Sequence, residues 1–233
     1  MIETLTTTVG GSAMTIHLAR PQGFAGPRPC IVVFHHKGGV DEFTQDRLTR
    51  LAEAGYLAAA PDFYHRNADA DVDSKMAAML DEEIVADAMA ALAAVKAAAP
   101  VRGDALATLG HCMGGRMSLL VSSAQPGFAA CVAYYPGNMF VARGDGPSPF
   151  DRLSALKAAT AVFVGNDDKN PSPEDVDKLG DAMTGFNVRH AIHRYDGAAH
   201  AFQNFTEPSR HHEAQARDAW GKTLTFLATE LKP

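Results

Sequence analysis

Short apolar runs alternate along the chain with longer stretches in which apolar side chains recur every three or four positions, the signatures of strands and of amphipathic helices. Residues 5–9 and 14–18 are β-prone and separated by Gly10-Gly11, which predicts an antiparallel hairpin. The continuous apolar run Cys30-Ile31-Val32-Val33-Phe34 reads as a strand buried on both faces, and it ends in the polar, glycine-rich corner His35-His36-Lys37-Gly38-Gly39. Helical spacing follows over 42–54, with Phe43, Leu48 and Leu51 on one face and Gly55 as the stop. A strand is expected over 56–60, an exposed aspartate-rich excursion over 63–75, and one long helix over 76–99. Further strands are expected over 105–109, 129–135, 161–164 and 188–195. Helices are expected over 113–124, 173–185 and about 209–231, the last presenting Trp220, Leu224 and Leu227 on one face, and loops over 21–29 and 138–150.

Strands alternating with helices imply right-handed crossovers and a mostly parallel central sheet with helices on both faces, an α/β fold. No Ser/Gly/Pro-rich linker, repeat or low-complexity tract divides the chain, so residues 1–233 are expected to form a single domain. In such sheets reactive groups gather at the carboxyl ends of the strands, where His36, Cys112, Asp168 and His200 all fall.

Composition narrows the classes. With 46% hydrophobic residues the chain can bury a sizeable core, and a formal charge of −6 argues against nucleic acid or an anionic membrane as partner. The start, Met1-Ile2-Glu3-Thr4-Leu5, carries an acid and no apolar core segment, so neither a signal peptide nor a membrane span is expected. Three cysteines, at 30, 112 and 131, do not form a disulfide framework. The expectation is a cytoplasmic enzyme, a monomer or small homo-oligomer, acting on a small molecule with no cofactor and no metal.

The densest chemistry lies at Gly110-His111-Cys112-Met113-Gly114, framed by apolar runs. This is the G-x-S-x-G nucleophile elbow of α/β-hydrolases with cysteine in place of serine. A strand turning abruptly into a helix leaves the middle side chain exposed, and the helix N-terminus favours a thiolate and any oxyanion formed beside it. Cys112 then needs a base, for which His200 is the candidate, and a carboxylate to hold the imidazole, for which Asp167 and Asp168 compete. The oxyanion hole is expected from the backbone N–H groups of Met113 and Lys37.

The chain also resembles the dienelactone hydrolases (carboxymethylenebutenolidases). The resemblance is carried by Gly110-His111-Cys112-Met113-Gly114-Gly115, Gly55-Tyr56 leading to Pro61-Asp62-Phe63-Tyr64, Gly165-Asn166-Asp167-Asp168 and Gly197-Ala198-Ala199-His200-Ala201-Phe202. It implies a Cys112–His200–Asp168 triad that cleaves an ester or lactone through a thioester acyl-enzyme, with Tyr64, Tyr134 or Tyr135 near the pocket. It also implies a glutamate at the end of the third strand, where this chain has His36, read here as tuning the thiol or contacting substrate. Two arginines that grip a substrate carboxylate are implied as well. This chain has no arginine between Arg66 and Arg102, and Asn204 stands four positions after His200. Lys37 and Arg116 are the remaining candidate cations, and neutral substrates are expected in place of the anionic dienelactone. Two alternatives compete: a metal site built from His35, His36, Cys112 and His200, and a ligand-binding or thiol-sensing protein on the same fold.

Overall fold

The computed structural model describes residues 1–23 and 26–232, so part of the loop expected over 21–29 lies outside the described residues. These residues form one eight-stranded sheet in the order β1-β2-β4-β3-β5-β6-β7-β8. The hairpin β1 (Ile2–Val9) and β2 (Ser12–Ala19) forms one edge, antiparallel to its neighbour β4 (Leu57–Pro61). From β4 onward, β3 (Arg28–Phe34), β5 (Val101–His111), β6 (Ala130–Tyr134), β7 (Ala159–Gly165) and β8 (His190–Tyr195) run parallel. The mostly parallel α/β-hydrolase sheet expected from the sequence is what the chain builds.

Alternation along the strands divides the core into two layers. Cys30, Val32 and Phe34 of β3 join Ile84, Ala88 and Leu92 of α3 (Asp81–Ala98), Met117 and Leu120 of α4 (Met113–Ala124) and Val176 and Leu179 of α5 (Pro173–Gly185). Ile31 and Val33 turn the other way, onto Leu48 and Leu51 of α1 (Glu42–Glu53) and Trp220 and Leu227 of α6 (Glu213–Leu231). Burial on both faces is why the central strands read as unbroken apolar runs.

Two sequence expectations fail between β4 and β5. The 63–75 stretch is not wholly exposed: Phe63 and Tyr64 are buried, a 3-10 turn covers His65–Asn67, and α2 spans Val72–Ala78. Nor is 76–99 a single helix, because Met79 and Leu80 are extended and α3 starts afresh at Asp81. The cause is a buried ion pair. Asp81 takes Arg116 Nη1 and Nη2 at 2.6 and 2.9 Å, and its Oδ2 also accepts the Arg143 N–H at 3.0 Å. Continuing α2 into α3 would carry that carboxylate away from its partners. The last helix also starts later than expected, at Glu213. No helix among the described residues is long and apolar enough to cross a membrane.

Candidate active site

β5 ends at His111, and α4 begins at Met113 with no intervening loop. Cys112 makes the whole turn, at φ 58° and ψ −120°, a conformation that L-residues rarely adopt. Its N–H donates to the Tyr134 carbonyl (3.0 Å), and its own carbonyl accepts the N–H of Arg116 (3.2 Å). Such a turn brings backbone against backbone. A Cβ on Gly110 would lie 2.1 Å from the Gly114 carbonyl oxygen, and one on Gly114 would lie 2.1 Å from that of Phe34. Glycine at these two positions is therefore a packing requirement, and the half-buried thiol between them is pushed up at the carboxyl end of the sheet.

The loops after β7 and β8 bring the other two residues in. They are laced together by Asn166 N–H to the Tyr195 carbonyl (2.9 Å) and Asp167 N–H to the Ala198 carbonyl (3.0 Å). Asp167 is exposed and Asp168 is buried, and it is Asp168 Oδ2 that accepts His200 Nδ1–H at 2.8 Å. The other oxygen, Oδ1, accepts the N–H of Asn170 at 2.9 Å. With Nδ1 committed to Asp168, the far ring nitrogen is left for the thiol. Burial opposes charge on His200, but hydrogen bonds to Asp168 and Cys112 and the negative charge of both outweigh it. The ring's pKa is pushed up from 6.5 to about 10.

His36, Lys37, Cys112, Tyr135 and His200 line one small recess. His36 faces it while bonded through Nε2 to Asp41 Oδ2 at 2.8 Å. Asp41 is also the N-cap of α1, with Oδ1 accepting Thr44 N–H at 3.0 Å. Burial opposes charge there, yet these bonds hold the Asp41 carboxyl below its ordinary value. Tyr135 takes a positive φ of 36° and sets its ring 5.0 Å from that of His200. Tyr134, by contrast, is buried away from the recess, its hydroxyl on the Ala219 carbonyl (3.2 Å).

Several expectations are corrected here. Tyr64 does not line the recess but stands behind it, its hydroxyl donating to the Lys37 carbonyl at 3.0 Å. Arg116 is not available to a ligand, because it is 1% exposed and closed onto Asp81. Of the four side chains of the metal alternative, His36, Cys112 and His200 share the recess but His35 does not line it. His35 turns its Nδ1 to the His36 carbonyl (2.7 Å) and accepts Phe63 N–H on Nε2 (3.2 Å), while His36 and His200 bind separate carboxylates. No group of three or more His, Cys, Asp or Glu among the described residues is arranged to hold a metal ion. The sequence reading also overlooked lining residues, among them Phe43, His111, Glu207 and Arg210. His111 was within reach, since it adjoins Cys112. Nothing local marks Arg210, ten positions beyond His200.

The sequence model of the dienelactone hydrolase family matches residues 14–231. A "putative carboxymethylenebutenolidase" of Salmonella typhimurium is 31% identical over 94% of this chain and 83% of its own length. A "probable 2-oxo-3-(5-oxofuran-2-ylidene)propanoate lactonase" of Bradyrhizobium is 27% identical over 95% of this chain and 91% of its own. Among solved structures, a "putative dienelactone hydrolase" from Klebsiella pneumoniae superposes with a TM-score of 0.87 at 28% identity, covering 98% of this chain and 99% of that one. The elbow, the ordered strand-end residues and these matches place the chain in the dienelactone hydrolase family.

Proposed function

We propose that the protein hydrolyses small, uncharged esters or lactones, with Cys112 as nucleophile, His200 as base and Asp168 as the group that orients it. The observation that carries this reading is the Asp168–His200 hydrogen bond at the rim of a recess that His200 lines together with the Cys112 thiol, which is held in a strained turn. The thiol's proton passes to the His200 nitrogen that faces it ahead of the attack, as the raised pKa of that ring favours, and the resulting thiolate attacks the carbonyl carbon. The Asp168 carboxylate stabilises the imidazolium so formed. Backbone N–H groups of Met113, at the start of α4, and of Lys37, in the loop after β3, receive the oxyanion. His200 returns the proton to the departing oxygen, and a thioester remains on Cys112. Water activated by His200 then resolves it.

The preference for uncharged substrates rests on how the nearby arginines, the side chains that grip a carboxylate as a fork, are used. Arg116 is closed onto Asp81, and Arg210 at the recess is paired through Nε with Glu207 Oε2 at 3.1 Å. A substrate carboxylate would have to compete with a carboxylate already in place.

Intact-mass spectrometry with a slowly deacylated ester should show one acyl group added to the wild type and none to Cys112→Ala. Full hydrolytic activity in Cys112→Ala would overturn the assignment.

A further inference from the structure

His111 sits immediately before the nucleophile, and its place in the recess is fixed from three sides. Its ring stacks on Tyr134 (centroids 4.3 Å apart, planes 11° apart) and meets Phe43 edge-on at 4.8 Å. Its Nε2 lies 3.4 Å from Gln203 Oε1. The orientation of that amide is dictated by its other partners. Gln203 Nε2–H donates to the Ala216 carbonyl at 3.0 Å, so the opposite end, which receives Arg47 Nη1–H at 3.1 Å, is the oxygen. An oxygen opposite Nε2 makes Nε2 the donor, and the proton of the neutral imidazole is thereby placed on it. Burial, reinforced by the positive charge of Arg47, holds the ring's pKa well below 6.5.

That leaves Nδ1 of His111 as a bare lone pair. Among the described residues it takes no hydrogen bond, although the side chain that carries it is buried, with 2% exposure. The ring lines the same recess as Cys112 and His200. We propose that His111 is a specificity-determining acceptor, whose Nδ1 takes a hydrogen bond from a hydroxyl that the substrate carries next to its scissile carbonyl. The class selected is the 2-hydroxyacyl esters and lactones. A bare nitrogen lone pair has nothing to donate to a carboxylate or an ether oxygen, so both are disfavoured at that position. The hydroxyl is placed near the carbonyl because His111 and Cys112 line the same recess.

The inference rests on the ester-hydrolase reading of the site, and the test separates the two. Phenyl hydroxyacetate and phenyl methoxyacetate differ by one methyl group on the donor oxygen. After correction for their rates with hydroxide, wild type should prefer the hydroxyacetate in kcat/KM by about ten-fold or more, the ratio that one neutral hydrogen bond supplies. His111→Phe keeps a flat ring against Tyr134 but removes the acceptor, and should abolish the preference. His111→Asn restores an acceptor near Nδ1 and should recover part of it. A ratio unchanged in His111→Phe, or absent in wild type, overturns the proposal. Calorimetric binding of hydroxyacetamide and methoxyacetamide to Cys112→Ala needs no turnover. Tighter binding of hydroxyacetamide supports the acceptor even if no ester is cleaved, and equal binding of the two overturns it.

Discussion

His200 has two different neighbours, and each accounts for part of its behaviour. Asp168 is separated from Asp167 by burial: one carboxylate is enclosed with both oxygens bonded, while the other faces water. Asp168→Asn should therefore lower kcat by roughly 10⁴-fold, the scale seen when such an aspartate is neutralised, and Asp167→Asn should change it little. Steady-state kinetics on the two variants decides the point. The same contact makes a pH statement. The folded ring's pKa lies at about 10, above its ordinary 6.5, so the stabilisation is fully present below 6.5 and is lost as pH rises through about 10. Denaturant unfolding should show Asp168→Asn most destabilised relative to wild type below pH 6.5, with the gap narrowing toward 10. A gap independent of pH would mean that the His200 proton is not coupled to folding. Cys112, Asp168 and His200 were legible as candidates because each closes a strand in a short motif. The choice between the two aspartates rested on family register alone, because burial cannot be read from two adjacent acids.

The elements that the apolar pattern located correctly are those whose pattern reports burial directly: β3 through its unbroken run, α1 through its one-sided stripe. What it missed was decided elsewhere in the chain. Helical propensity is high from Met76 to Ala98, yet the helix breaks because Asp81 is claimed by Arg116, 35 residues away. The price of that pair is a dependence on both partners. Arg116→Met should destabilise the protein by about 3–5 kcal/mol, the cost of stranding a buried carboxylate, measured as a fall in unfolding free energy. Arg116→Met with Asp81→Leu should recover part of the loss. Failure to recover any would assign the cost to the Arg116 contacts with the Asn138 and Val141 carbonyls instead. Arg116 looked like a free cation in sequence for the same reason: its partner lies two elements away.

At the scale of the whole molecule, chemistry from five loops meets over one end of the sheet, and the arginine of the recess, Arg210, is paired with Glu207. Matched phenyl esters with and without a terminal carboxylate should show kcat/KM favouring the neutral member. A ten-fold preference for the anionic one, about 1.4 kcal/mol of transition-state discrimination, would mean that Arg210 leaves Glu207 on binding. The far side of the recess carries a further consequence. The chain has one tryptophan. It lies on α6 and is 3% exposed, with the guanidinium of Arg47 4.7 Å and that of Arg50 4.9 Å from its ring centroid. Arg47 also reaches Gln203, which touches His111. Indole emission responds to charge held close to the ring. The protein thus carries its own optical reporter of the junction between α1 and α6, two residues removed by this route from the wall of the recess and readable without a label.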